Sequence, residues 1–309
     1  MRNYFFVVPC LLSSICLAQT TAPIIQAAGY TNPVAVQVAP GQLLTLFLDA
    51  PVGSTVTALY STGSDQPMPV IRVDSGSPNC NTISICVQSL AVTVQIPFGI
   101  PTYATATASP SGGIALVING VKTPYLPVQP LRDHVHILTV CDVSVGGNLA
   151  IPPYINGLPC HPLVTHADGT TVAGYQPAQS GEELVAYATG LGETSPALIA
   201  GPPAATSSPT TTTFTLDFNY HVNALAAMPG SSSATSGTPV FAGATAGFIG
   251  LYQINFIVPP PPPGTLECDP SPSFSILFNQ PYAQSNLTVS FGSNFSFDGV
   301  GICVTPTGS

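Results

Sequence analysis

Charge is what this sequence has least of. Only 6% of its 309 residues are Asp, Glu, Lys or Arg, and there is no tryptophan. Of the four basic residues, those beyond Arg2 are Arg72, Lys122 and Arg132, set against 13 acidic ones. A surface so short of cations repels phosphate backbones, which argues against nucleic acid as a partner. The single lysine, Lys122, follows Val121 rather than glycine, so no Gly-Lys-Ser/Thr phosphate loop can be built. Helical signal is missing too. No window of a dozen residues carries an apolar stripe free of Gly and Pro, which number 28 and 34.

Catalytic signatures are equally scarce. There is no G-x-S-x-G nucleophile elbow, no H-E-x-x-H and no calcium loop of EF-hand type. Glu182 and Glu183 are adjacent, but on a strand their side chains point to opposite faces and cannot act together as acid and base. A hydrolase is therefore a minor reading; the chain is expected to be no enzyme and to need no cofactor. Disorder is excluded by a hydrophobic content of 45%, enough to build cores.

What is present begins with an apolar leader. "MRN" gives a short positive start, "YFFVVPCLLSSICLA" an apolar run, and Cys16-Leu17-Ala18 a small-residue exit. Residues 1–18 read as a secretory signal peptide cleaved near Ala18, and Ile15 before Cys16 disfavours a lipid-anchoring signal. Residues 75–121 carry no charge, yet prolines and glycines interrupt them and they alternate, so no transmembrane span is expected. The protein should be secreted, extracellular or at the cell surface, with a periplasmic location as the variant.

Almost every readable segment has period two. "FTLDFNYHV" puts Phe214, Leu216, Phe218, Tyr220 and Val222 on one face and Thr215, Asp217, Asn219 and His221 on the other. "LAVTVQIP", "LYQINFIVP" and "NLTVSFG" alternate in the same way. Half-buried strands bounded by turn residues predict an all-β fold of antiparallel sandwiches. "VAPGQLLTLFL" (38–48) is echoed by "AQSGEELVAYA" (178–188), and "VTVQIP" (92–97) by "INFIVP" (254–259). The echo predicts two similar units meeting near "VQPLRD" (128–133): an N-terminal sandwich over 22–130 and a C-terminal one over 131–309. Within the second, "ATSSPTTTT" (205–213) and "PGSSSATSGTP" (229–239) read as mobile loops. "VPPPPPGT" (258–265) reads as a stiff polyproline connector.

Cys10 and Cys16 leave with the leader, and six cysteines remain: Cys80, Cys86, Cys141, Cys160, Cys268 and Cys303. An even number in an exported chain predicts disulfides, and pairing of sequence neighbours gives Cys80–Cys86, Cys141–Cys160 and Cys268–Cys303. The wider loops would each add about 3–4 kcal/mol by constraining the unfolded chain.

Three constellations could carry function. "YATGLGETSP" (187–196) lacks the third glycine of a dinucleotide loop, having Ser195-Pro196 there, so Gly190 and Gly192 read as a tight corner needing positive φ. "DHVHILTVCD" sets His134 and His136 on one face of a strand. With His161, His166 and either Asp133 or Asp168 they are the candidates for zinc or copper, against the plainer reading of polar strand and loop positions. Tyr60, Tyr103, Tyr125, Tyr154, Tyr175 and Tyr282 fall in or beside the expected loops, where rings could stack on sugars as a platform for polysaccharide.

"IIQAAGYTNPVAVQVAPGQLLTLF" (24–47), "HADGTTVAGYQPAQSGEELVAYATGLGETSP" (166–196) and "FAGATAGFIGLYQINFIVP" (241–259) together resemble an uncharacterised family, the Solibacter-type C-terminal domain of acidobacterial secreted proteins. The likeness covers roughly residues 22–265, in order. It implies export and an immunoglobulin-like β architecture, with no assigned activity. The combined expectation is two tandem immunoglobulin-like sandwiches, disulfide-stapled, acting as a structural or adhesive module whose partners are polysaccharide or other envelope proteins. A carbohydrate-binding module is the alternative. With few basic residues left to repel one another in acid, stability should be flat between about pH 3 and 7.

Overall fold

The computed structural model of the chain describes residues 25–28, 36–50, 53–75, 79–80, 86–87, 89–103, 112–143, 154–155, 158–159, 161–230, 235–268, 273–275, 280–282 and 285–306. The signal peptide read at 1–18 lies outside them. The fold is all-β, and the one α-helical element among the described residues is the single turn Val140–Val143.

Two sheets carry the first half. One runs Ile25–Ala28, Leu43–Asp49, Ser89–Gln95, Val70–Ser75; the other runs Val36–Val38, Leu126–Pro130, Gly112–Ile118, Val56–Ser61, Asp65–Met68. The ladders are antiparallel except where Leu126–Pro130 lies parallel to Val36–Val38. Period-two alternation decides which side chains turn inward. Leu44, Leu46 and Leu48 sit directly opposite Val94, Val92 and Leu90. Together they meet Ala58, Tyr60, Ile114, Leu116, Ile118 and Val128 of the second sheet in one buried cluster.

The second half repeats the scheme with its own cluster. Its first sheet orders His136–Ile137, Glu183–Thr189, Tyr252–Ile257, Phe241–Ala244, Ser208–Pro209; its second orders Thr235–Gly237, Thr215–Asn219, Leu287–Gly292, Phe297–Ile302. Leu184, Tyr252, Ile254 and Phe256 pack on Leu216, Phe218, Val289 and Phe291. Phe214 stacks on Phe291 with ring centroids 4.6 Å apart. Cys268 and Cys303 form a disulfide with Cα atoms 5.5 Å apart, joining residues 35 apart in sequence. In the chain-entropy view a loop of that size contributes about 4 kcal/mol. Cys80 and Cys86 are backbone partners in a short antiparallel ladder. Cys141 lies in the helical turn and Cys160 falls outside the described residues, as does any bridge between them.

Several local expectations are corrected. Residues 205–213 are not a free loop: Ser208–Pro209 pairs with Phe241–Ala244, and Thr211 N–H donates to the Glu193 carbonyl at 2.8 Å. Thr235–Gly237, expected in a loop, is an edge strand beside Thr215–Asn219. Asp217 is not on a solvated face, being 2% exposed. Leu287–Gly292 is buried on both faces because residues 223–227 cover the polar one. There the Thr288 hydroxyl donates to the Ala224 carbonyl at 2.7 Å, and Ala227 N–H donates to Ser290 Oγ at 3.1 Å. At 205–213, 223–227 and 235–237 hydrogen bonding to backbone groups orders segments of small residues that have no apolar period to read.

The halves touch through polar contacts. Gly201 N–H donates to Gln95 Oε1 at 2.7 Å, while Gln95 Nε2 donates to the Gly41 carbonyl at 3.1 Å. Leu131 N–H donates to the Val38 carbonyl at 2.8 Å. This seam places residues 131–134 beside three neighbouring segments and so positions the site.

Candidate functional site

The corner at Gly190 and Gly192 comes first, because it holds the segment that carries Arg132, Asp133 and His134. Both glycines have positive φ, +75° and +86°. A Cβ on Gly190 would lie 1.9 Å from the His134 carbonyl oxygen, and one on Gly192 would lie 2.1 Å from that of Arg132. His134 N–H in turn donates to the Gly190 carbonyl at 2.7 Å, and the Tyr252 hydroxyl donates to that of Gly192 at 2.7 Å. The glycines are there for close backbone approach, with no phosphate cradle in view.

From this anchor the chain runs through buried polar groups. Asp133 is fully buried, and its carboxylate accepts from the Ser293 hydroxyl at 2.7 and 2.8 Å and from Ser296 at 2.5 Å. Burial pushes its pKa up against the opposing pull of those hydroxyls. His134 shares a 3.3 Å contact with the Gln42 amide across the seam, and burial, then the nearby His136, hold its pKa below the ordinary value. His136 lies 3.4 Å from Asp142 and 3.2 Å from Asp298. Those two carboxylates, Asp142 first, raise it to about 9, so it is an imidazolium at neutral pH.

His166 has its partner elsewhere. Burial pushes the His166 pKa down, but Glu182 at 2.5 Å and the Gln176 carbonyl outweigh it and leave the pKa raised. His161 is lowered by burial alone. The H-x-H spacing therefore does not bring its two rings to a common ligand. Among the described residues no group of three or more His, Cys, Asp or Glu side chains is placed to hold a metal ion.

The tyrosines disperse as well. Tyr60 is 3% exposed, a core residue opposite Ile114, and offers no ring to a sugar. Tyr125 is half-exposed, but its hydroxyl bonds Asp65 and Lys122. Tyr103 bridges to Leu131, and Tyr175 is 81% exposed. For Tyr154 and Tyr282 only the strand backbones Tyr154–Ile155 and Gln280–Tyr282 are described.

What sequence reasoning missed is a cleft of about 480 Å³ beside Arg132. Its walls come from five separate segments, at Thr102, Arg132, Glu193, Thr211 to Thr213, and Ser293 to Phe295. The Arg132 guanidinium lies over the Phe295 ring at 5.1 Å from the centroid. Glu193 Oε1 accepts Gly99 N–H at 2.6 Å. The run of four threonines at 210–213 was the one sequence signal for it, and composition alone cannot tell a wall from a linker. A second crevice, lined by Phe98, Ile199 and Phe248, encloses only about 10 Å³, room for a single water.

A scan against protein-family models finds no match, and a search of curated proteins finds no significant relative.

Proposed function

We propose that the protein is an exported, non-enzymatic structural or adhesive module, two immunoglobulin-like sandwiches in tandem, related to the Solibacter-type domain by the motifs quoted above. Two pairs of sheets, each pair closed over its own buried cluster, support the sandwich reading. The Cys268–Cys303 disulfide supports export.

One observation carries the functional reading: side chains suited to chemistry are spent on ties between distant parts of the chain. Asp133 holds Ser293 and Ser296, His136 faces Asp142 and Asp298, His166 faces Glu182, and Glu193 holds Gly99. A catalytic acid or base needs a face open to substrate. Groups committed to internal partners stiffen a scaffold instead. The alternative of an extracellular carbohydrate-binding module gains from the polar cleft at Arg132.

The test is co-sedimentation of the oxidised mature chain with cell envelopes of its own species and with insoluble polysaccharides. Retention without chemical change of either is the expected result. Failure to sediment with any of them, or release of soluble fragments from the polymer, would overturn the reading.

A further inference from the structure

We infer that the cleft at Arg132 is a binding site for a carboxylated sugar, a uronic acid unit of an extracellular polysaccharide, with Arg132 receiving the carboxylate. The inference rests on the exported, adhesive reading only for where such a polymer is met; the geometry is its own.

The cation comes first. Arg72 pairs with Asp74 at 2.7 Å and Lys122 with Asp65 at 2.5 Å. Arg132 has no ion pair among the described residues, since the adjacent Asp133 is turned inward to Ser293 and Ser296. The guanidinium sits over the Phe295 ring at 5.1 Å from the centroid, a cation–π contact that spends none of the N–H donors of its planar fork. That fork matches the two oxygens of a carboxylate.

The rest of the lining selects the scaffold that carries the carboxylate. The Thr102, Thr212 and Thr213 hydroxyls and the Asn294 amide border the cleft, with no internal side-chain hydrogen bond among the described residues. They form an array of paired donor and acceptor groups of the kind ring hydroxyls satisfy. Glu193 uses one oxygen on Gly99 and keeps the other to accept a sugar hydroxyl. Its negative charge beside one guanidinium also disfavours a dianion, so a phosphate is the poorer fit. The volume, about 480 Å³, falls within the roughly 300–1,000 Å³ of small-ligand sites.

Titration calorimetry on the oxidised chain with trigalacturonate tests this, with its methyl ester as the uncharged arm and trialanine as the peptide-carboxylate arm. Trigalacturonate should bind at least tenfold more tightly than either. Arg132→Gln should weaken it at least tenfold and Arg132→Lys less. Thr212→Val, elsewhere in the lining, should weaken it several-fold with the unfolding midpoint unchanged. Silence with trigalacturonate, equal binding by Arg132→Gln, or equal binding of ester or peptide would overturn the inference. Envelope retention with silent calorimetry would sink the cleft alone. Calorimetric binding without retention on any envelope or polymer would sink the adhesive reading alone.

Discussion

At Gly190 a single methyl group has nowhere to go. A Cβ there would meet the His134 carbonyl oxygen at 1.9 Å with φ already at +75°, whereas at Gly169, with φ +84°, it meets nothing within 4 Å. Gly169→Ala therefore measures the positive-φ cost alone, about 1 kcal/mol. Gly190→Ala adds backbone displacement and should cost about 3 kcal/mol or more, read as the difference in urea midpoints. Equal losses would mean the corner yields freely. This corner was legible in the sequence because the missing third glycine and Pro196 ruled out the cofactor loop before any contact was known. Tyr60 was not legible. Its burial is set by a cross-strand neighbour, since a Cβ on Gly112 would lie 2.8 Å from its hydroxyl, and no local window reports that.

Strands behave the same way at the next scale. "LAVTVQIP" and "LYQINFIVP" have buried alternate positions as their period requires, with Val92, Val94, Ile254 and Phe256 at 1% exposure or less. "NLTVSFG" departs from its period because residues 223–227 supply a second cover, and that cover is built of hydrogen bonds rather than apolar contacts. At the head of this strand Asn286 is 1% exposed. Its amide donates to the Val304 and Leu266 carbonyls at 2.7 and 3.0 Å and accepts Val304 N–H at 2.8 Å. Asn286→Ala leaves the buried Val304 backbone unsatisfied and should cost about 2–4 kcal/mol in chemical denaturation. A loss below 0.5 kcal/mol, of the order expected for an ordinary surface change, would refute the tie.

Over the whole molecule these ties set the response to pH. His136, raised from 6.5 to about 9, contributes stability that is complete below pH 6.5 and lost as pH rises through about 9. His166 has the same sign. His134, lowered by burial, has the opposite sign, and stability falls as pH drops below 6.5. Asp133, raised by burial, opposes that fall, since its contribution is greatest below about pH 3.8 and is lost as pH rises through its folded value. The acid limb should stay shallow and the alkaline limb, from about pH 6.5 to 9, should slope downward. Urea titrations across pH 4–10 would show this, with His136→Gln flattening the alkaline limb; an unchanged slope in that variant would remove His136 as its source. The all-β class was legible at this scale because alternation recurs along the chain. The cleft was not, because its walls lie at residues 102, 132, 193, 211–213 and 293–295 and meet only after the sheets have closed.

The same scarcity of basic residues reaches beyond electrostatics. Past residue 25 the chain presents a protease of trypsin-like preference with three scissile bonds, those following Arg72, Lys122 and Arg132. The first lies within the paired strand Val70–Ser75. The second leads into Thr123, 3% exposed, whose N–H is bonded to the Leu116 carbonyl. The third joins Arg132, itself preceded by the buried Leu131, to the fully buried Asp133. Cleavage requires an extended, accessible stretch on either side of the bond. Resistance to proteases of that preference is thus written into where the few cations stand.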